Sequence, residues 1–101
     1  MGWPMVNNTQ FKVVFQFYSR TRNAVWPGGD QVWYAWPGQK YTPVLRCLDG
    51  EYICYGAWVE GNTSINWGVG PGGKLGCRSC CYNCKHGYVA GHSLIDTPQR
   101  R

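Results

Sequence analysis

Six cysteines are the residues whose type and spacing bear most directly on chemistry. Four fall in Cys77-x2-Cys80-Cys81-x2-Cys84, and Cys47 and Cys54 flank an Asp49-Gly50 dipeptide. An Asp-Gly pair between β-prone runs signals a two-residue type I′ hairpin, here joining 41–48 to 51–59. In that register Cys47 and Cys54 share one face as diagonal neighbours. Their Cβ atoms then lie farther apart than the roughly 3.5–4.5 Å of a disulfide, so the two are expected not to bond to each other but to face a third element. The 77–84 segment fits that role, because i, i+3, i+4 and i+7 fall on one face of a short helix.

Two outcomes follow. In the first, Cys47 and Cys54 each take a partner from the cluster and the remaining two cysteines pair together, giving three disulfides. In the second, reduced thiolates hold zinc, with the C-x2-C spacing as a knuckle and the hairpin completing a tetrahedral site. The disulfide reading is preferred. The cysteine count is even, Cys80 and Cys81 are adjacent, the two C-x2-C pairs abut without a spacer, and six thiolates exceed what one four-coordinate ion takes. His86 and His92 are further candidate ligands, read first as solvent-facing polar residues. Cys84 and His86 also stand close enough in sequence for a thiolate–imidazole nucleophile, a reading that ranks below a structural role for all six cysteines.

A second set of candidates is aromatic. Six Trp and seven Tyr in 101 residues exceed what a core of this size buries completely, so part of this surface is expected to face solvent or a partner. Trp26 and Trp36 each open a Trp-Pro-Gly turn, and Trp33 and Tyr34 lie on the short strand between them. Flat rings on a rigid sheet stack on sugars or nucleobases, which makes these four the candidate ligand-binding residues. Trp58 and Trp67 read as core, since both sit inside apolar strands.

The elements that must position these groups are short and β-rich. Leu occurs only four times, whereas Trp, Tyr, Val and Gly are abundant, a β composition with many turns. Residues 10–18 alternate apolar Phe11, Val13, Phe15 and Phe17 with their neighbours, the period of a half-buried strand. Asn7-Asn8-Thr9 before it reads as a turn. Glu60-Gly61-Asn62 turns the chain into a strand over 63–69, which Gly70-Pro71-Gly72-Gly73 ends. A final strand-like piece covers 88–95. Strands spaced about ten residues apart, separated by Gly and Pro, predict an all-β domain. The expected form is a small antiparallel sandwich or partly open barrel of about six to seven short strands, with a Cys-rich C-terminal turn or short helix. Residues 1–95 form a single domain and 96–101 a polar tail.

The remaining composition constrains function mostly by exclusion. Ten Lys and Arg against five Asp and Glu give a net charge of +5, but the positives are scattered without a basic run and read as a solubilising surface. No apolar run approaches the roughly 20 residues of a membrane span. The opening Met1-Gly2-Trp3-Pro4 looks like the start of a trimmed or mature chain rather than a signal peptide. Asp30, Asp49 and Glu60 fall at turns, and no acid and base pair, P-loop, dinucleotide fingerprint, G-x-S-x-G or H-E-x-x-H is present. Asn7-Asn8-Thr9 and Asn62-Thr63-Ser64 match the N-glycosylation acceptor.

The sequence by itself does not determine the activity. The reading it favours is a non-enzymatic, disulfide-stabilised binding or interaction module, secreted or periplasmic, without a cofactor and with a glycan or protein ligand. The alternative is a cytoplasmic zinc-stabilised domain binding nucleic acid, with Lys74, Arg78, Lys85 and the tail arginines on phosphates. A small enzyme using a cysteine or histidine ranks third.

Overall fold

The computed structural model describes residues 1–96; of the tail assigned to 96–101, residues 97–101, with Arg100 and Arg101, lie outside them. Nine strands follow one another: β1 (Met5–Asn8), β2 (Val13–Ser19), β3 (Val25–Trp26), β4 (Trp33–Ala35), β5 (Lys40–Tyr41), β6 (Tyr52–Val59), β7 (Asn62–Gly68), β8 (Cys81–Asn83) and β9 (His92–Ile95). The one helical element among the described residues is a 3-10 turn, Pro71–Gly73. The chain is an all-β domain of two sheets.

The larger sheet is antiparallel and organised around β2 and β6. They pair in register from Val13↔Val59 to Ser19↔Ile53, β3 and β4 add to the other edge of β2, and β7 and β8 to the other edge of β6. The smaller sheet runs β5-β1-β9, with β1 antiparallel to β5 and parallel to β9. Side chains alternate across a strand, so Val13, Phe15 and Phe17 form one row. That row meets Trp3, Met5 and Leu94 from the smaller sheet's side in a common core. Trp3 packs 4.8 Å from Phe17 between ring centroids.

The other row of β2 is also buried. Val14, Gln16 and Tyr18 are covered because two loops fold over them: the segment after β3, where Gln16 Nε2 donates to Gln31 O (2.6 Å), and the 3-10 turn. Gly73 in that turn has φ +68° and lies against the face of the Tyr18 ring, where a Cβ would clash. Glycine is required there for both reasons. Gln16 accepts from the Tyr18 hydroxyl at 2.6 Å, and burial pushes the Tyr18 pKa up.

Three expectations change on this fold. The Asp49-Gly50 dipeptide does form a turn, with Glu51 N donating to Leu48 O (2.9 Å), but it does not join two paired strands. A type I′ turn needs positive φ at both central residues, and here only Gly50 has it. Residues 42–48 find no free edge on β6, since β2 occupies one side and β7 and β8 the other, and Val44 instead bridges Gly2 at the N-terminus. The 77–84 segment is not helical. Ser79 takes φ +54°, and the chain then runs as β8 along β6 with Cys81 directly opposite Cys54. Finally, Asn7 and Asn8 are strand residues. Asn7 is buried, donating through Nδ2 to Phe11 O (2.7 Å) and Ala35 O (2.9 Å) while its Oδ1 accepts from Thr9. Its side chain is therefore a structural bracket, inaccessible as a glycan acceptor in the folded domain.

Candidate functional site

All six cysteines lie in pairs at disulfide distance: Cys47 with Cys84, Cys54 with Cys81, and Cys77 with Cys80. The two cysteines flanking the Asp-Gly turn each take a partner from the cluster, and the remaining two pair together. A strand rather than a helix makes this possible. The ladder places Cys54 and Cys81 with Cα atoms 4.0 Å apart. Backbone bonds from Gly50 N to Cys84 O (2.8 Å) and from Cys84 N to Glu51 O (2.7 Å) bring Cys84 beside the turn that follows Cys47. The sulfurs of Cys54, Cys80 and Cys81 gather within 4.8 Å of one another, so a reduced chain would offer three thiolates at one place. Cys84, the nucleophile of the cysteine–histidine pair, is buried and joined to Cys47.

His92 is not solvent-facing. Trp3 Nε1, a donor only, reaches His92 Nδ1 at 3.0 Å, which makes Nδ1 the acceptor and leaves the proton on Nε2, 2.7 Å from Ser79 O. The ring also stacks on Trp3 and packs against Tyr55 and Tyr82. Burial lowers its pKa, and both nitrogens are engaged. His86 remains exposed.

Glu51 is a second buried anchor. Its carboxylate receives Arg22 Nε (2.6 Å) and Nη2 (3.2 Å), Ser19 Oγ (2.6 Å) and Leu48 N (3.0 Å). The hydrogen bond from Arg22 is the main reason its pKa falls to about 2; burial opposes the shift, and the Ser19 and Leu48 bonds reinforce it. With every acceptor direction in use, this carboxylate holds the loop after β2 to the Asp-Gly turn.

The aromatic candidates separate into three places. Trp26 is half-buried, donating Nε1 to Arg46 O (3.0 Å) with the Arg22 guanidinium 5.9 Å from its ring. Trp33 is also half-buried and turns toward the core, packing on Phe15, Phe17 and Tyr41. Tyr34 and Trp36 are brought together on the opposite face, 52% and 54% exposed, with ring centroids 6.5 Å apart and nearly perpendicular. The Lys12 ammonium sits 4.6 Å and 4.7 Å from these two rings and 3.1 Å from the Glu60 carboxylate. A cation over two ring faces, itself neutralised by a carboxylate, holds both rings in place. The Trp36-Pro37-Gly38-Gln39 turn fixes the second ring, with Gln39 N donating to Trp36 O (2.9 Å) and Gln39 Oε1 accepting from Trp36 N (2.9 Å).

Trp58 joins this face, and there the sequence reading needs correction. Trp67 is core, its Nε1 donating to Ile95 O (3.0 Å), but Trp58 is only half-buried and stands outside the core cluster. The register explains why. Val14 lies opposite Tyr34 on one side and Trp58 on the other, so these three side chains share the outer face of the sheet. The signal was present in β6: Ala57 and Val59 are the core-facing residues, and strict alternation puts the indole between them on the far side. Next to Trp58 an open groove of about 400 Å³ is lined by Gln16, Tyr18, Val32, Asp30 and Gly72 among others.

Buried side-chain polar atoms all have partners among the described residues, so the groups free to meet a ligand lie on the surface; Tyr41, Tyr52 and Tyr88 are exposed as well, and this outer face brings Tyr34 and Trp36 together beside Trp58. Comparison with protein-family models, with curated proteins and with solved structures returns no match.

Proposed function

We propose that this chain is a non-enzymatic, disulfide-stabilised binding module working outside the cytoplasm, which takes a carbohydrate on the exposed aromatic face of its larger sheet. The observation that carries this reading is the Tyr34–Trp36 pair: two large rings more than half exposed, outside the core, and held by Lys12 and the Gln39 turn rather than by burial. Such surface gains nothing on folding and is stabilised only when a partner covers it, and a rigid ring loses little entropy when a ligand settles on it. Three cysteine pairs are consistent with an oxidising compartment, and among the described residues no helix is long and apolar enough to cross a membrane.

The alternative is a zinc-stabilised domain binding nucleic acid. It draws on the three sulfurs within 4.8 Å and the net charge of +5.

Two measurements separate the readings. Intact mass with alkylation before and after reduction should find a chain short of six hydrogens, without reactive thiols or metal. Screening the folded chain against a glycan array should find retention that Tyr34→Ala/Trp36→Ala abolishes. Thiols that react only after chelation, or retention on nucleic acid but on no glycan, would replace this function with the alternative.

A further inference from the structure

The outer face carries more than one aromatic position, and their spacing selects among carbohydrates. Tyr34 and Trp58 stand on strands two steps apart, both opposite Val14. Two interstrand steps of about 4.8 Å place their backbones about 10 Å apart, with both side chains rising from the same face. That separation is close to the length of one disaccharide unit in an extended β-1,4-linked hexose chain. Successive sugars in such a chain are flipped, so the same pyranose face recurs on every second residue. Two rings at this distance can therefore stack on alternate sugars of one flat ribbon.

The polar groups agree. A sugar against Trp58 would lie at the groove containing Gln16, Asp30 and Val32, where the exposed Asp30 carboxylate can accept from paired hydroxyls. The charge on this face suits a neutral ligand. Lys12 is compensated by Glu60 at 3.1 Å, and Asp30 would repel a sulfated, carboxylated or phosphorylated chain. Resting on the carbohydrate reading above, we infer that the ligand is an extended, uncharged β-1,4-linked hexopyranose chain lying across the strands, with Tyr34–Trp36 and Trp58 as two consecutive stacking subsites.

Titration of the intact chain with soluble cello- and chito-oligosaccharides of two to six sugars, followed by tryptophan fluorescence and calorimetry, tests this. Affinity should rise steeply once the sugar reaches both subsites. Trp58→Ala should weaken hexasaccharide binding by roughly 10- to 100-fold, the range for losing one central stacked ring, while leaving disaccharide binding at Tyr34–Trp36 unchanged. Asp30→Arg, at an exposed position that lines the groove at Trp58, should do the same without touching the core, which covers the case in which Trp58→Ala does not fold. Hexasaccharide binding that needs Tyr34 and Trp36 but ignores both Trp58→Ala and Asp30→Arg would overturn the second subsite and leave the proposed function standing. Preference for heparin over the neutral sugars, weakening with salt, would overturn the ligand class. No binding to any carbohydrate would overturn both.

Discussion

Replacing Glu51 with Gln removes one charge from a site where every acceptor direction is used, and the effect should depend on pH in a way that no merely steric defect reproduces. The folded carboxyl titrates at about 2 against an ordinary 4.5, chiefly through the bond from Arg22. A folded pKa below the unfolded one means the unfolded chain binds the proton more readily. The contribution is therefore complete above the ordinary value and disappears as pH falls through 4.5 toward 2. At about 1.4 kcal/mol per pKa unit the shift from 4.5 to about 2 bounds the contribution at about 3.5 kcal/mol. The Arg22 side chain is 45% exposed, and solvent screening reduces the figure to about 1–2 kcal/mol. Urea unfolding of the oxidised protein at pH 7 should show Glu51→Gln less stable by that amount. The gap between the two proteins should narrow at pH 4 and close near pH 2. Taking the difference cancels the other carboxylates, which titrate in both. A gap that stays constant from pH 7 to pH 2.5 would refute the reasoning, because the loss would then come from packing rather than from the charge.

Other consequences are equally open to measurement. His92 has its pKa lowered by burial, so its neutral form supports the fold above the ordinary value of 6.5, and stability should decline as pH falls below it. Melting curves at pH 7.5, 6 and 5 should show this decline in the native protein, and His92→Phe should lack it. Cys47 and Cys84 stand 37 residues apart, and Cys77 and Cys80 only three. On the loop-entropy relation the double serine variant of the first pair should cost about 4 kcal/mol and that of the second about 2 kcal/mol, as read by chemical denaturation. Asn7→Ala strands the carbonyls of Phe11 and Ala35 in the interior and should cost about 2–3 kcal/mol.

Much of the sheet was legible in the chain. The alternation in Val13–Ser19, the Glu60-Gly61 hairpin and the Trp-Pro-Gly turns are local signals, set by side-chain period and φ preference. What escaped was decided by distant partners. Asn7 and Asn8 are poor strand formers by propensity, and become a strand because β9 runs beside both, Gly38 and Gln39 bond the Asn7 backbone, and the Asn7 amide is bonded on all sides. The cysteine spacing of 77–84 suits a helix face, but the edge of β6 opposite β2 was open there and drew in an extended β8. Trp58 was misplaced for a different reason. A large aromatic inside a strand reads as core on composition, and only the register of β2 against β6 shows which side of the sheet it occupies. Tyr34 and Trp36 were singled out with Trp33 and Trp26, yet their separation from those two followed from strand alternation and from where β3 and β4 pair along β2.

The smaller sheet has a bearing on how the protein is made. Its three strands come from residues 5–8, 40–41 and 92–95, with the earliest segment in the middle. Met5, beneath that sheet, and Trp3, bonded to His92, belong to the core. During synthesis the first strand must therefore wait, unpaired on one edge, until nearly all of the described chain has emerged. Contacts spanning that many residues form slowly, and an early segment without its late partner is open to wrong pairings. The domain accordingly completes itself only once its last strand has emerged.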